Sequence, residues 1–397
     1  MKTAKRIAKL GTETAFAVSA DARAWADRGH DVFPFHLGDM NIPTPSNIVE
    51  AGYRAMLDNK TTYCPAAGIP ELRAAMAEDI GRARGIEYDI DNVSVQPGGK
   101  PCIGKFLMAL MNRGDEVLYP NPGYPIYESQ IEFLGGTAVP YGYIPSEKGF
   151  SIDRDKVEAA ITPRTRLFIY NNGQNPIGAE SDDDEMQWIA DLAQERDMFV
   201  LSDEPYFDIR YRGKSKSIAG LPGMQERTVI AYTFSKKYAM TGWRLGGAVG
   251  PKKVIDVINK LNVNHESCTC HFIQWAGIEA LNGDQSGHEE IIQTLERRRD
   301  LLVDLLRDID GVSVYKADVT FYLFPDVTEV YKRKGYESQA EMRIEALEKT
   351  GVSFCSRSHF GKPLPDEDKV FIRFAYSGID IDRIESGLKK LKAFWES

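Results

Sequence analysis

The chain has 397 residues, 43% of them hydrophobic, enough to bury a sizeable core and to form one large domain with a smaller one. A formal net charge of -9 leaves no broad basic surface, so nucleic-acid and anionic-membrane partners are excluded. No apolar run reaches bilayer length, MKTAKRIAKLG lacks the apolar stretch of a secretory signal, and five scattered cysteines fit reduced thiols, so the expected location is the cytoplasm.

In chain order, short β-rich runs alternate with longer helical patterns, which predicts a mostly parallel sheet covered by helices on both faces. Strands are expected over 93–95, 116–119, 167–170, 199–202 and 229–232, with helices over 100–112 and 183–196 among them. After about Asn282 the pattern changes to a long charged helix over 289–308, then strand-like VSVYKADVTFYLF, 312–324, and a last helix from about Asp382. Leu388, Leu391 and Phe394 lie at helical spacing in that last segment, and the whole region reads as a smaller α+β domain.

Each strand of the first series is followed closely by a group with chemistry to offer: Gly99, Tyr124, Asn175, Asp203 and Thr233. Open α/β sheets bind ligands outside the carboxyl ends of their strands, so these positions predict one site. In VSVQPGGKP, the backbone N–H groups of Gly98, Gly99 and Lys100 offer an anion cradle at a helix start, although such a turn also serves as a plain connection. It matches neither the P-loop nor the dinucleotide fingerprint.

The stretch TFSKKYAMTGWRLG, 233–246, sets two lysines after a hydrophobic strand, with an arginine eight residues past the first. A lysine held among cations is primed for Schiff-base chemistry, and the hydroxyls of Thr233 and Ser235 with the Arg244 guanidinium suit a phosphate. Lysine plus phosphate points to pyridoxal phosphate; the alternative is a solvated lysine pair. MFVLSDEPY brings Asp203 and Tyr206 to a strand end. Asp203 can keep a pyridine nitrogen protonated, or can cap a helix beside a packing tyrosine.

Together these segments resemble the class I/II aminotransferases of the fold-type I pyridoxal-phosphate superfamily, which are aspartate aminotransferase-like, from about Leu37 to about Ser377. The family pattern S-x-S-K-x-x-x-M-T-G-W-R-x-G selects Lys236, eight residues before Arg244, and leaves Lys237 aside. The resemblance implies that Asn175, in LFIYNNGQNPIG, and Tyr206 hydrogen-bond the cofactor's phenolic oxygen, Asn175 also assisting the substrate carboxylate. Gln174 and Gly173 depart from the family's usual Asn and Pro there. Tyr124 is implied to stack on the cofactor ring, and Arg373, in KVFIRFAYSG, to grip the substrate carboxylate with two-point geometry. Gly38, in HLGDMNIPTP, falls in the substrate-entry segment, where Met40 and Asn41 depart from the pattern. Tyr63, in KTTYCPAAGIPELR, is implied to reach the phosphate of a neighbouring subunit, hence a homodimer with shared active sites.

The implied architecture is a large domain over 45–282 and a small one built from 1–44 plus 283–397, the N-terminal arm packing against the latter. The implied reaction moves an amino group from an L-amino acid to a 2-oxo acid by a ping-pong route, Lys236 being both anchor and general acid/base. A β-lyase or other Cα-bond-cleaving enzyme is the alternative on the same site, and a pyridoxal-phosphate-binding sensor a further one. NHESCTCH, 264–271, groups His265, Cys268, Cys270 and His271, but structural zinc sites usually space cysteines more widely, so no metal is expected. The alignment instead points to His265 and Glu266 as candidates for substrate selection.

Overall fold

The computed structural model describes residues 2–11, 14–146 and 149–397. Its centre is a seven-stranded sheet of β1 (Val93–Gln96), β2 (Glu116–Pro120), β3 (Thr137–Tyr141), β4 (Thr165–Tyr170), β5 (Phe199–Asp203), β6 (Thr228–Thr233) and β7 (Gly246–Val249). The spatial order is β1-β7-β6-β5-β4-β2-β3. β7 runs antiparallel to both neighbours, and the other pairings are parallel. β1, β4, β5 and β6 are buried almost throughout, as expected of strands covered on both faces, which is why they read as near-continuous apolar runs.

The helices show their causes in the sequence. Pro70–Arg84 begins with a proline in its first turn and stops at Gly85, which takes φ +70°. Asp183–Glu195 is capped by Asp182, whose carboxylate accepts from the Glu185 N–H at 2.8 Å, and its first turn carries three more acids against the helix dipole. Lys100–Leu110 and Ile126–Leu134 cover one face of the sheet through Ile103, Phe106, Leu107, Tyr127 and Ile131.

A second core surrounds a three-stranded antiparallel sheet ordered Tyr322–Leu323, Ile372–Ala375, Cys355–Ser356. Helices Ser286–Arg307, Gln339–Thr350 and Ile381–Glu396 pack there through Leu302, Leu306, Met342, Leu388, Leu391 and Trp395. Phe33 and Phe35 belong to this core, and Phe33–Pro34 pairs in parallel with Val352–Ser353. The start of the arm goes elsewhere: Lys9 pairs with Glu132 at 3.0 Å and the Gly11 N–H donates to Ser129 Oγ at 2.9 Å, both partners on the helix Ile126–Leu134.

The expected strand over 312–324 is corrected: only Tyr322–Leu323 is strand. Thr320 takes φ +65°, and the Thr320 and Tyr211 N–H groups exchange bonds with Ile209 and Asp318, so the segment pairs briefly with residues 209–211 instead of extending a sheet. Its alternating apolar residues still fill the second core, which is the pattern that suggested a strand.

Candidate active site

A cavity of about 600 Å³ opens at the carboxyl ends of the parallel strands. Its walls include Gly38, Gly99, Lys100, Tyr124, Asn175, Asp203, Tyr206, Thr233, Ser235, Lys236, Arg244 and Arg373. Residues from both sheets therefore share one space.

β6 ends at Thr233, whose hydroxyl caps the short helix Phe234–Lys237 by accepting from the Ser235 N–H. That turn sends the paired lysines in different directions. Lys236 lines the cavity, its Nζ donating to the Gly38 carbonyl at 2.6 Å. Lys237 is buried away from the cavity lining, near Asp79 at 3.7 Å and Asp208 at 3.4 Å. Burial alone would lower its pKa, but Asp208, Tyr238 and Asp79 outweigh it and hold the ammonium in its charged form.

The antiparallel β7 brings its first residue, Gly246, opposite both Thr233 and Gln96. Arg244 precedes it in a left-handed conformation, φ +56°, donating to the Thr241 carbonyl at 2.8 Å. Gly98 must be glycine here. It has φ +97°, and a Cβ would sit 2.3 Å from Arg244 Nη2. Thr233 Oγ1 and Ser235 Oγ lie 2.8 Å apart beside this turn. Backbone N–H groups, two hydroxyls and a guanidinium thus meet at one corner, a donor set suited to a phosphate.

At the end of β5, Asp203 accepts from Tyr127 Oη at 2.5 Å. Burial raises its pKa to about 6, Glu204 adding to the shift while the Tyr127 bond opposes it. Glu204 itself pairs with buried Arg84 at 2.7 Å and is already balanced. Among the described residues no cation contributes to the Asp203 shift, so the carboxylate suits a cationic N–H presented from the cavity.

Arg373 enters from the second sheet. Nη1 donates to Asn175 Oδ1 at 3.0 Å and Nη2 to the His36 carbonyl at 2.5 Å, while the rings of Tyr322 and Phe360 each lie 4.6 Å from the guanidinium carbon. Its Nε is buried without a partner among the described residues, a donor left over for an acidic ligand.

Comparison with known proteins agrees with this geometry. The model of the family "Aminotransferase class I and II" matches residues 30–391. The chain belongs to the class I and II aminotransferases. It is 34% identical to the "Probable aspartate/prephenate aminotransferase" of Aquifex aeolicus, over 98% of this chain and 97% of that one. It is 32% identical to the aspartate aminotransferase of Geobacillus stearothermophilus over the full length of both. Among solved structures, the alanine aminotransferase of Pyrococcus furiosus superposes with a TM-score of 0.91 at 27% identity, covering all of both chains. The protein is accordingly an aminotransferase with the mixed α/β fold of fold type I, from a family whose enzymes use pyridoxal phosphate.

Some site positions of this aminotransferase lie elsewhere or escaped sequence reasoning. Tyr63 is 85% exposed and outside the cavity lining. His265 lines a separate basic hollow with Lys5, Arg6 and Arg113, while Glu266 pairs with buried Lys105. Among the described residues no group of three or more His, Cys, Asp or Glu side chains is arranged to hold a metal, and the five cysteines are unpaired. Sequence reasoning missed Tyr127, Asn171 and Tyr322. Asn171 accepts from the Asn175 N–H at 3.1 Å and donates to the Asp203 carbonyl at 2.8 Å, tying two predicted residues together. Its place just after an apolar strand was the available signal. Tyr322 Oη lies 3.0 Å from Tyr206 Oη and 2.0 Å from where a Cβ on residue 38 would be, which accounts for Gly38.

Proposed function

We propose that this protein moves an amino group from an L-amino acid to a 2-oxo acid by a ping-pong route, with pyridoxal 5'-phosphate held on Lys236. One observation carries the reading: Lys236, Asp203 and Arg373, the anchor, the ring partner and the carboxylate grip, line the same cavity. Arg244, the Gly99 N–H and the Thr233 and Ser235 hydroxyls hold the phosphate, with Gly98 keeping the cradle open and Lys100 beside it. Asp203 takes the pyridine N–H as an ion-paired hydrogen bond, which drives its own pKa back down and keeps that nitrogen protonated. Tyr124 packs on the ring face, and Asn175 and Tyr206 donate to the phenolic oxygen. When bound, the cofactor supplies the electron sink that makes the substrate's Cα–H acidic.

The remaining chemistry belongs to the chain. Arg373 fixes the substrate carboxylate with Asn175 alongside, and Gly38 leaves room at the entry. Lys236 Nζ, released from its anchoring role, takes the proton from Cα and carries it across the face of the site. The reading divides the chain into a large domain over 45–282 and a small one from 1–44 plus 283–397. It also makes the protein a homodimer, in which Tyr63 is buried against the partner's phosphate. Five unpaired thiols suit a reducing compartment, taken here to be the cytoplasm.

The test is an absorbance spectrum of the purified protein, repeated after single amino acids and then 2-oxoglutarate or pyruvate. A band near roughly 420 nm that shifts to shorter wavelength with amino acid and returns with 2-oxo acid is expected of lysine-bound pyridoxal. No bound chromophore after added pyridoxal phosphate would sink the assignment. A chromophore unresponsive to 2-oxo acid would favour the lyase reading.

A further inference from the structure

Two parts of the cavity wall are carried by different sheets: Tyr124 follows β2 of the large sheet, and Arg373 lies in Ile372–Ala375 of the three-stranded one. A short helical turn, Arg357–Phe360, touches both. The Phe360 ring lies 4.6 Å from the Arg373 guanidinium carbon, and the Phe360 carbonyl accepts at 2.9 Å from the N–H of Gly123, the residue before Tyr124. A displacement of this turn would therefore be felt on both sides of the site.

Asn121 and Arg357 join the turn to the loop from behind. Both are buried, and neither lines the cavity. Arg357 Nε and Nη2 donate to the two carboxylate oxygens of Glu367 at 2.8 and 2.5 Å, Nη1 donates to the Gly361 carbonyl at 3.0 Å, and Nη2 also reaches Asn121 Oδ1 at 2.9 Å. Asn121 Nδ2 donates in turn to the Lys362 carbonyl at 2.8 Å, so the two ends of the amide meet a donor and an acceptor and its orientation is fixed. Gly361, at φ +115°, lets the turn come this close, since a Cβ there would lie 2.5 Å from Asn121 Oδ1. From the other side Gln174 Nε2 donates to the Pro122 carbonyl at 2.5 Å. The loop 121–124 is thus gripped between the turn that packs on Arg373 and the residue that precedes Asn175. A lysine at 357 would be a point charge without the planar fork that serves Glu367 and Asn121 together.

Building on the aminotransferase reading above, we propose that Asn121 and Arg357 are positioning residues: through the turn that carries Phe360 they fix the Tyr124 loop and the Arg373 guanidinium relative to one another, and so couple the hold on the cofactor ring to the hold on the substrate carboxylate. Neither side chain touches cofactor or substrate. A clamp that served only stability would weaken folding and leave the two binding steps alone, whereas a positioning clamp moves both binding steps together. A buried hydrogen bond to a charged group is worth about tenfold or more in an equilibrium constant, enough to be read in each step.

The test uses Asn121→Ala, Arg357→Lys and the double variant. Three quantities are read: the Kd of pyridoxal phosphate for the cofactor-free protein, the visible circular dichroism of the loaded protein, and the amino-acid Kd from the absorbance change of the half-reaction. The amino acid is whichever of L-aspartate, L-alanine and L-tyrosine gives the largest response in the wild type. Each single variant is expected to lower the dichroism and to raise both Kd values about tenfold. Because the two side chains make one contact, the double variant should be no worse than the weaker of the two singles. Arg357→Lys keeps a cation beside Glu367, and it decides the matter if Asn121→Ala does not fold. A lower melting temperature with both Kd values and the dichroism unchanged overturns the proposal, as does a rise in one Kd without the other, or effects that simply add in the double variant. Each of these leaves the aminotransferase reading intact, which falls instead if the wild type binds no pyridoxal phosphate.

Discussion

At the scale of single residues, the two neighbouring lysines separate function from stability. Lys236→Ala is expected to abolish the absorption of lysine-bound cofactor and the activity while leaving the melting temperature of the cofactor-free protein within a few degrees. Lys237→Ala should keep the spectrum but cost on the order of 3 kcal/mol, because it leaves Asp79 and Asp208 without their buried cation. Denaturant titrations of both variants check this, and loss of the band in the Lys237 variant alone would reverse the roles. Asp203 gives a prediction in pH. Its carboxyl holds a proton up to about 6 in the folded chain, against 3.8 for an ordinary solvated aspartate, so the folded state loses stability as pH rises between these values and carries the full cost above them. That cost is about 3 kcal/mol. Cofactor-free Asp203→Asn should therefore melt higher than wild type at pH 8, with the difference vanishing near pH 4, whereas with pyridoxal phosphate bound the wild type should regain the advantage. A constant difference across pH would remove burial as the cause. Asp203 stood out in the sequence because it ends an apolar run, and Lys236 because the family pattern's register singles it out from Lys237. Tyr127 did not, since it reaches Asp203 from the interior of a helix, where a tyrosine looks like any core aromatic.

At the scale of elements, the strand-to-helix turn after β1 is the sharpest test of the phosphate corner. Gly98→Ala forces a side chain into a left-handed backbone and against Arg244, so the affinity for pyridoxal phosphate should fall at least about tenfold with little change in far-ultraviolet circular dichroism. Equilibrium titration of the cofactor-free variant decides it, and unchanged affinity would move the phosphate elsewhere. The buried strands β1, β2, β4, β5 and β6 were readable as short β-rich runs, whereas β7, Gly246–Val249, was not, its two glycines giving no strand signal. β3 carried no comparable signal, being a half-exposed strand with Pro140 inside it. The segment 312–324 was misread for a related reason: alternation reports which residues face a core, and an irregular segment lying along a core alternates as well as a strand does.

At the scale of the whole molecule, the helix Ser46–Leu57 buries Ile48, Gly52 and Ala55 and leaves Val49, Tyr53, Met56 and Leu57 exposed on its other side. Tyr63 follows in the chain, and Val263 is exposed on the helix Lys252–His265. Apolar exposure of this kind suits an interaction surface, and the homodimer proposed above would supply the partner. Leu57→Glu should therefore shift the protein toward monomer in light scattering and lower kcat/KM in step, as the partner's Tyr63 leaves the site; a fully active monomer would remove Tyr63 from the mechanism. The sequence reached Tyr63 only by resemblance, because a residue proposed to work across an interface has no pattern in its own chain. The reversed strand β7 has a last consequence. Because it pairs directly with β6, Lys236 and Arg244 hang from adjacent strands of one hydrogen-bonded ribbon, whereas Arg373 is carried by a different sheet. A tilt of one sheet against the other would change the reach of Arg373 and leave the lysine-to-arginine span fixed, so in the proposed function release of a product would not loosen the hold on the cofactor.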